Sequence, residues 1–133
     1  MEERTLIILK PDAVKRRLIG RVLGRFEDRG LNLIALKLFR LSDVDAREFY
    51  SIHADKHFFN ELIAFITSDP VVAGIVEGRD AVNVVRMMIG NTNSPKAEPG
   101  TVRGDFGLGT TDNIIHASDS PDSFEKESKL IFS

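Results

Sequence analysis

The feature that most narrows the fold is the run Thr5-Leu6-Ile7-Ile8-Leu9, followed at once by Lys10-Pro11-Asp12. The run is continuously apolar, as in the central strand of a sheet. Pro11 has no N–H to give to a ladder, so the strand ends before it and Lys10 stands at its exit. After Gly20, the residues Val22, Leu23 and Phe26 share one helical face, and Gly30 ends that helix as a left-handed cap. Leu31 to Leu41 is long, apolar and β-prone, the mark of a second strand.

Further on, Ser42 with Asp43 and Asp45 caps a helix carrying Phe49 and Tyr50, and a second helical piece covers Phe58 to Thr67. Asp69-Pro70 breaks the pattern, and Val71 to Val76 reads as a third strand. Asp80 is the expected cap of a helix ending at Gly90. Asn91 to Gly109 holds Pro95, Pro99, Gly100, Gly104, Gly107 and Gly109 and reads as a long loop; such loops in compact domains are usually functional. Asn113-Ile114-Ile115 is a short β-prone run, the fourth strand. Ser120 then caps a last helix, with Pro121 at its first position and Phe124, Leu130 and Ile131 as its buried stripe. The order βα, β, helices, β, α, β, α suits a four-stranded sheet covered by helices on one face. No repeat, low-complexity segment or linker divides residues 1–133, which gives a single domain.

Composition decides what chemistry is open. There is no cysteine among the 133 residues. Thiolate catalysis, disulfides and cysteine-based zinc sites are excluded. The net charge is −2, so no bulk field attracts nucleic acid or an anionic membrane, and an anion site must come from local clustering of Lys and Arg. The longest apolar run, Val71 to Val76, is far too short to span a membrane, and Met-Glu-Glu-Arg resembles no targeting segment. The expected location is the cytoplasm.

His116 falls where a strand ends and a helix begins, with Ser118, Asp119 and Ser120 beside it. A helix start favours anions, and a neutral imidazole is a nucleophile near pH 7. Glu127 lies eleven residues on, about two turns into the helix, and can fold back to hold one ring nitrogen. A capped turn with an ordinary histidine fits these residues equally well.

No phosphate-binding glycine loop with a Lys-Ser/Thr ending is present, so side chains and a metal would have to neutralise a bound polyphosphate. Lys10, Arg86 and Arg103 are the candidates, with Thr92 as a hydroxyl donor. Taken singly, each also reads as a solvated surface group. His53 and His57 have a chelating spacing but no third ligand. Phe58 reads as core or as a ring exposed to a nucleobase, and Tyr50 as core with its hydroxyl at the surface. No Gly-x-Ser-x-Gly elbow supports a serine hydrolase. A phosphohydrolase using His116 as acid–base would differ by releasing inorganic phosphate.

Taken together, Leu9-Lys10-Pro11-Asp12, Pro99 to Phe106 and Asn113 to Ser120 resemble the nucleoside diphosphate kinase family, and the likeness runs from Glu3 to Glu127. The resemblance implies an α+β, ferredoxin-like βαββαβ domain with a four-stranded antiparallel sheet, assembled into homo-oligomers, hexamers or tetramers. It implies ping-pong transfer of a γ-phosphoryl group from a nucleoside triphosphate such as ATP to a nucleoside diphosphate such as GDP, with Mg²⁺ on the nucleotide. By that likeness His116 would be the phosphorylated nucleophile, oriented by Glu127 and Ser118. Lys10 and Tyr50 would contact the transferring group, and Lys10 and Asn113 the ribose. Arg86, Thr92 and Arg103 would hold the outer phosphates, Phe58 would stack on the base, and Asp119 would reach Mg²⁺ through water. Against the family pattern, Ala117 stands where glycine is usual, Ser94 where proline is frequent, Asp55-Lys56-His57 where Asp-Arg-Pro is common, and Thr110 where valine is common.

Overall fold

The computed structural model describes residues 2–133. Strand β1 (Glu2–Leu9) leads into a short helix α1 (Pro11–Lys15), then α2 (Ile19–Asp28), strand β2 (Asn32–Phe39) and helices α3 (Asp43–Phe49) and α4 (Phe59–Ile66). Strand β3 (Val71–Arg79), α5 (Ala81–Ile89), α6 (Val102–Phe106), β4 (Ile115–Ala117) and α7 (Pro121–Phe132) complete the chain. The sheet order is β2-β3-β1-β4, and every neighbouring pair is antiparallel. This is the ferredoxin-like arrangement, with α3 and α4 inserted between β2 and β3.

β1 is the central strand that its apolar run predicts, and both of its faces are buried. Ile7 and Leu9 join a core with Val22, Phe26, Val85 and Ile89 of α2 and α5. Leu6 and Ile8 join a second core with Ala46, Leu62, Ile63, Ile66 and Ile131 of α3, α4 and α7. Helices therefore cover both faces of the sheet, which corrects the expectation of one covered face. A strand with no polar alternation has no side to leave wet. Each fully buried aliphatic chain contributes roughly 1.5–3 kcal/mol, so both layers matter to stability.

Several boundaries follow their local chemistry. Gly30 sits at φ 89° after α2, where its N–H bonds Glu27 and the next N–H, of Leu31, bonds Phe26. That is a Schellman ending, and the left-handed residue in it favours glycine. Ser42 and Ser120 accept the backbone N–H groups of Asp45 and Ser123, as N-caps do.

Other boundaries differ from the expectation. Pro11 opens helix α1 rather than merely ending β1, because its fixed φ suits a first helical position. The segment from Asn91 to Gly109 contains α6, capped by the Thr101 hydroxyl. Gly104 belongs to it because a β-carbon there would collide with the carbonyl of Glu98. Asp80 does not cap α5: it is left-handed, at φ 54°, and makes no cap bond. Glu3 from β1 accepts the Val82 N–H in its place. The last strand is Ile115–Ala117, not Asn113–Ile115, since Ile114 takes φ 75° and turns the chain just before it. In α7 Phe124 and Ile131 pack inward as expected, but Phe132 joins them rather than Leu130.

Candidate active site

β4 sets the position of His116. It lies opposite Ile8 in the antiparallel pair, so its side chain projects from Ile8's face of the sheet. That face is the one covered by α3 and α7. Glu127, on α7, brings Oε1 to 3.0 Å from His116 Nε2, and the same oxygen accepts the Ser118 hydroxyl at 2.7 Å. A carboxylate oxygen accepts, so Nε2 is the donor in this contact, and in the neutral ring Nδ1 then keeps its lone pair. Two rings at the end of α3 face the imidazole: Phe49 edge-to-face at 5.0 Å between centroids, and Tyr50 at 6.3 Å.

The turn before β4 is gripped from several directions. Lys10 follows β1, and its backbone N–H donates to the Ile114 carbonyl at 2.8 Å. Its ammonium is buried and donates to Asn113 Oδ1 at 2.7 Å. Asn113 in turn donates to the carbonyls of Thr92 and Thr110. Asp12 Oδ2 accepts the Ile114 N–H. Arg103, on α6, donates Nε, Nη1 and Nη2 to the carbonyls of Asn113, Gly90 and Ile115. A guanidinium has five N–H groups, so two remain beyond these three bonds. Arg86, near the end of α5, donates one bond to the Ala117 carbonyl and is otherwise exposed.

These groups line one cleft of about 630 Å³. Its wall includes Lys10, Tyr50, Phe58, Arg86, Thr92, Arg103, Asn113, His116, Asp119 and Glu127, contributed by segments spread along the whole chain. Of the residues to which the family likeness gives a role, Ser118 alone is not on the wall; it is buried behind Glu127. Phe58 lies at one side, its ring 5.8 Å from that of His53 and 5.6 Å from that of His57. Among the described residues no group of three or more His, Asp or Glu is arranged to hold a metal ion, and His53 and His57 belong to no such group.

Burial and neighbouring charge tune the site. Burial, with Arg103 close by, pushes the Lys10 ammonium down to about 8. Burial and Arg86 push the Arg103 guanidinium down to about 10. Burial and the Glu127 charge raise the Tyr50 phenol, whose hydroxyl has no hydrogen-bond partner in the protein. The hydrogen bond from Ser123 holds the Asp119 carboxyl below its usual range, so it is ionised at neutral pH. Three cations converging in a concave, half-dry space with a free imidazole nitrogen suit a polyphosphate better than a neutral ligand.

Two contributors escaped the sequence reading. The sequence marks Phe49 only as a helix residue and Asp12 only as part of a strand end. Adjacency to Tyr50 at the end of α3 is the signal that would have brought Phe49 in. For Asp12, the signal is its place two residues after Lys10 on the same turn.

The chain matches the family model described as nucleoside diphosphate kinase over residues 3–133. It is 52% identical to the nucleoside diphosphate kinase of Thermoplasma acidophilum, over 99% of this chain and 89% of that protein. It is 53% identical to that of Methanocaldococcus jannaschii, over 99% of this chain and 94% of that protein. A crystal structure of the Aquifex aeolicus nucleoside diphosphate kinase superposes with a TM-score of 0.96 at 46% identity, covering 100% of this chain and 96% of that one. The halophilic nucleoside diphosphate kinase from Halobacterium salinarum, in complex with CDP, superposes with a TM-score of 0.97 at 44% identity, covering 100% and 89%.

Proposed function

The chain belongs to the nucleoside diphosphate kinase family and is a phosphotransferase of that kind, and from this premise we propose that His116 carries the phosphoryl group between two nucleotides. The observation that supports this most directly is the Glu127–His116 contact. It occupies Nε2 and leaves Nδ1 as the nucleophilic nitrogen of a ring lining the cleft. The Nδ1 lone pair attacks the γ-phosphorus of a nucleoside triphosphate, the bond to the β–γ bridging oxygen breaks, and the diphosphate departs. A second nucleoside diphosphate then brings its terminal phosphate oxygen to the same phosphorus, the N–P bond breaks, and a new triphosphate leaves. The same geometry serves both half-reactions.

Phosphoryl transfer asks a protein mainly for alignment and charge compensation. Lys10 and Tyr50 lie nearest the transferring group in this reading. Arg86, Thr92 and the two uncommitted N–H groups of Arg103 take the outer phosphates. Asn113 and Lys10 reach the ribose, and Phe58 stacks on the base. Stacking without base-edge hydrogen bonds tolerates any nucleobase, and the CDP bound by the Halobacterium protein is compatible with such a pocket.

The donor set fits Mg²⁺ carried in by the nucleotide. With no cluster of carboxylates among the described residues, the protein alone cannot cage the ion, whereas Mg²⁺ commonly keeps its waters and uses phosphate oxygens with one or two carboxylates. Asp119 is such a carboxylate: it lines the cleft, accepts the Ser123 hydroxyl through one oxygen, and would meet the ion through a bound water. When bound, the ion would neutralise phosphate charge and align the oxygens.

The protein acts as a homo-oligomer in this reading, a hexamer or tetramer. Ile34, Leu36 and Leu38 are 41%, 52% and 65% exposed along β2, an edge strand of the sheet. An apolar sheet edge of that kind favours pairing with another copy. No helix among the described residues is long and apolar enough to cross a membrane. A cytoplasmic enzyme with nucleotides as its partners, and neither membrane nor specific nucleic acid, is the assignment.

The test is intact-mass measurement after incubation with Mg-ATP. An acid-labile phosphoryl group should appear, vanish on adding a nucleoside diphosphate, and be missing from His116→Ala. A label persisting in that variant would place the nucleophile elsewhere.

A further inference from the structure

We infer that Phe49 is a positioning residue of the phosphoryl relay, which keeps the His116 ring in its reactive orientation and keeps water away from the phosphorus once that ring is charged. The inference rests on the assignment of His116 as the carrier. Phe49 closes α3, and its ring meets His116 at 5.0 Å between centroids with the planes 75° apart. It meets Tyr50 at 4.9 Å and 70°, and Tyr50 reaches His116 at 6.3 Å and 81°. The three rings form a closed triangle in which each braces the other two. Glu127 holds one nitrogen of the imidazole, but a single hydrogen bond leaves the ring free to pivot about it. Phe49 stands in the way of that pivot.

The second role follows from the chemistry of the charged state. A phosphoramidate passes its phosphoryl group to any oxygen nucleophile that reaches it. With water the oxygen forms the new P–O bond as the N–P bond breaks; one proton ends on the imidazole and the other stays on hydrogen phosphate. That reaction wastes the triphosphate. Lys10, Arg86 and Arg103 face the phosphates of the incoming nucleotide in this reading. Phe49 lines the same cleft beside the imidazole, and a phenyl ring offers water neither a base nor an orienting partner. An apolar wall placed there suppresses hydrolysis without slowing transfer to a nucleotide held by its own contacts.

The experiment charges the protein with Mg-ATP, removes nucleotide rapidly, and follows the phosphoenzyme by intact mass. In parallel, with limiting nucleoside diphosphate, the phosphoryl group is apportioned between new triphosphate and inorganic phosphate. For Phe49→Ala the lifetime should shorten about tenfold, the size of a ~1.4 kcal/mol change in barrier, and the inorganic share should rise in step. Phe49→Leu, which keeps an apolar filling and a good helix former, should fall between. A role confined to packing reduces the amount of chargeable protein but leaves lifetime and partition alone. That result in the folded variants overturns the inference. Failure of the wild-type protein to acquire any label overturns the assignment of His116 itself, a distinguishable outcome.

Discussion

The carboxylate of Asp12 accepts the backbone N–H of Ile114 at 3.0 Å. Ile114 is fully buried and sits at φ 75°, a conformation that costs a β-branched residue on the order of 1–3 kcal/mol. It lies two residues before His116. Its carbonyl is held by Lys10, and the carbonyls on either side by Arg103. The turn that aims the imidazole is thus kept in an unfavourable conformation by contacts from two distant segments.

Removing the acceptor should release that turn. Asp12→Ala is expected to lower unfolding free energy by about 2–3 kcal/mol, the cost of stranding a buried N–H bonded to a charged group. It should also slow phosphoenzyme formation by about tenfold or more, because the nucleophile is no longer aligned. Asp12→Asn keeps an acceptor and should recover most of both losses. Denaturant midpoints and rapid-quench rates measure the two effects. A wild-type charging rate in Asp12→Ala would show that the turn aims nothing.

Arg103 and Arg86 should separate in the same assays, though both line the cleft. Arg103 is buried and satisfies three carbonyls. Arg103→Ala leaves all three without it and should cost about 3 kcal/mol or more of stability as well as activity. Arg86 is exposed and makes one backbone bond. Arg86→Ala should change stability by about 1 kcal/mol or less while lowering kcat/KM roughly 100-fold, equivalent to about 2.7 kcal/mol of lost phosphate contact. Equal stability losses in the two variants would contradict the division.

Much of this was legible in the chain before any coordinates. The punctuation by Gly30, Ser42, Gly90 and Ser120 is local chemistry, and the elements it bounds are observed. The continuous apolar run of β1 already contained the second buried face; reading the helices as lying on one side neglected it. What stayed hidden depends on distant partners. Asp80 looks like a cap because capping is usually local, yet Glu3 performs it from another strand. Ile114 looks like a strand residue, since nothing nearby announces that Asp12 and Lys10 will hold it left-handed. Arg103 reads as a free cation until its three carbonyl partners come into place.

Glu127 and Ser118 should behave as one unit, because the hydroxyl and the imidazole share Glu127 Oε1. Glu127→Ala is expected to slow charging of His116 by about 100-fold, and Ser118→Ala by a few-fold. Their combination should be no worse than Glu127→Ala alone, since the hydroxyl acts through the carboxylate. Single-turnover rates across the double-mutant cycle measure this. Additive losses would mean that Ser118 touches the reacting nucleotide independently.

The Lys10 ammonium sets an alkaline limit. Burial, with Arg103 beside it, lowers it from 10.5 to about 8, even though Asp12 and Asp112 pull the other way. In the nucleotide-free protein the cation is therefore lost above about pH 8, and kcat/KM, which reports the free enzyme, should fall about tenfold per unit beyond it. Stability runs in the opposite direction. Between about 8 and 10.5 the unfolded chain holds a proton on this lysine that the folded chain has released, so the contribution of Lys10 to unfolding free energy rises with pH across that window. Bound phosphate favours the ammonium again, so nucleotide binding near pH 9 should take up a proton, visible as a dependence of calorimetric enthalpy on buffer. Lys10→Gln should lower the whole rate profile, remove its alkaline limb and abolish that uptake. Should the limb survive unchanged in this variant, some other group controls it, and the buried ammonium is not the cation that the phosphates meet.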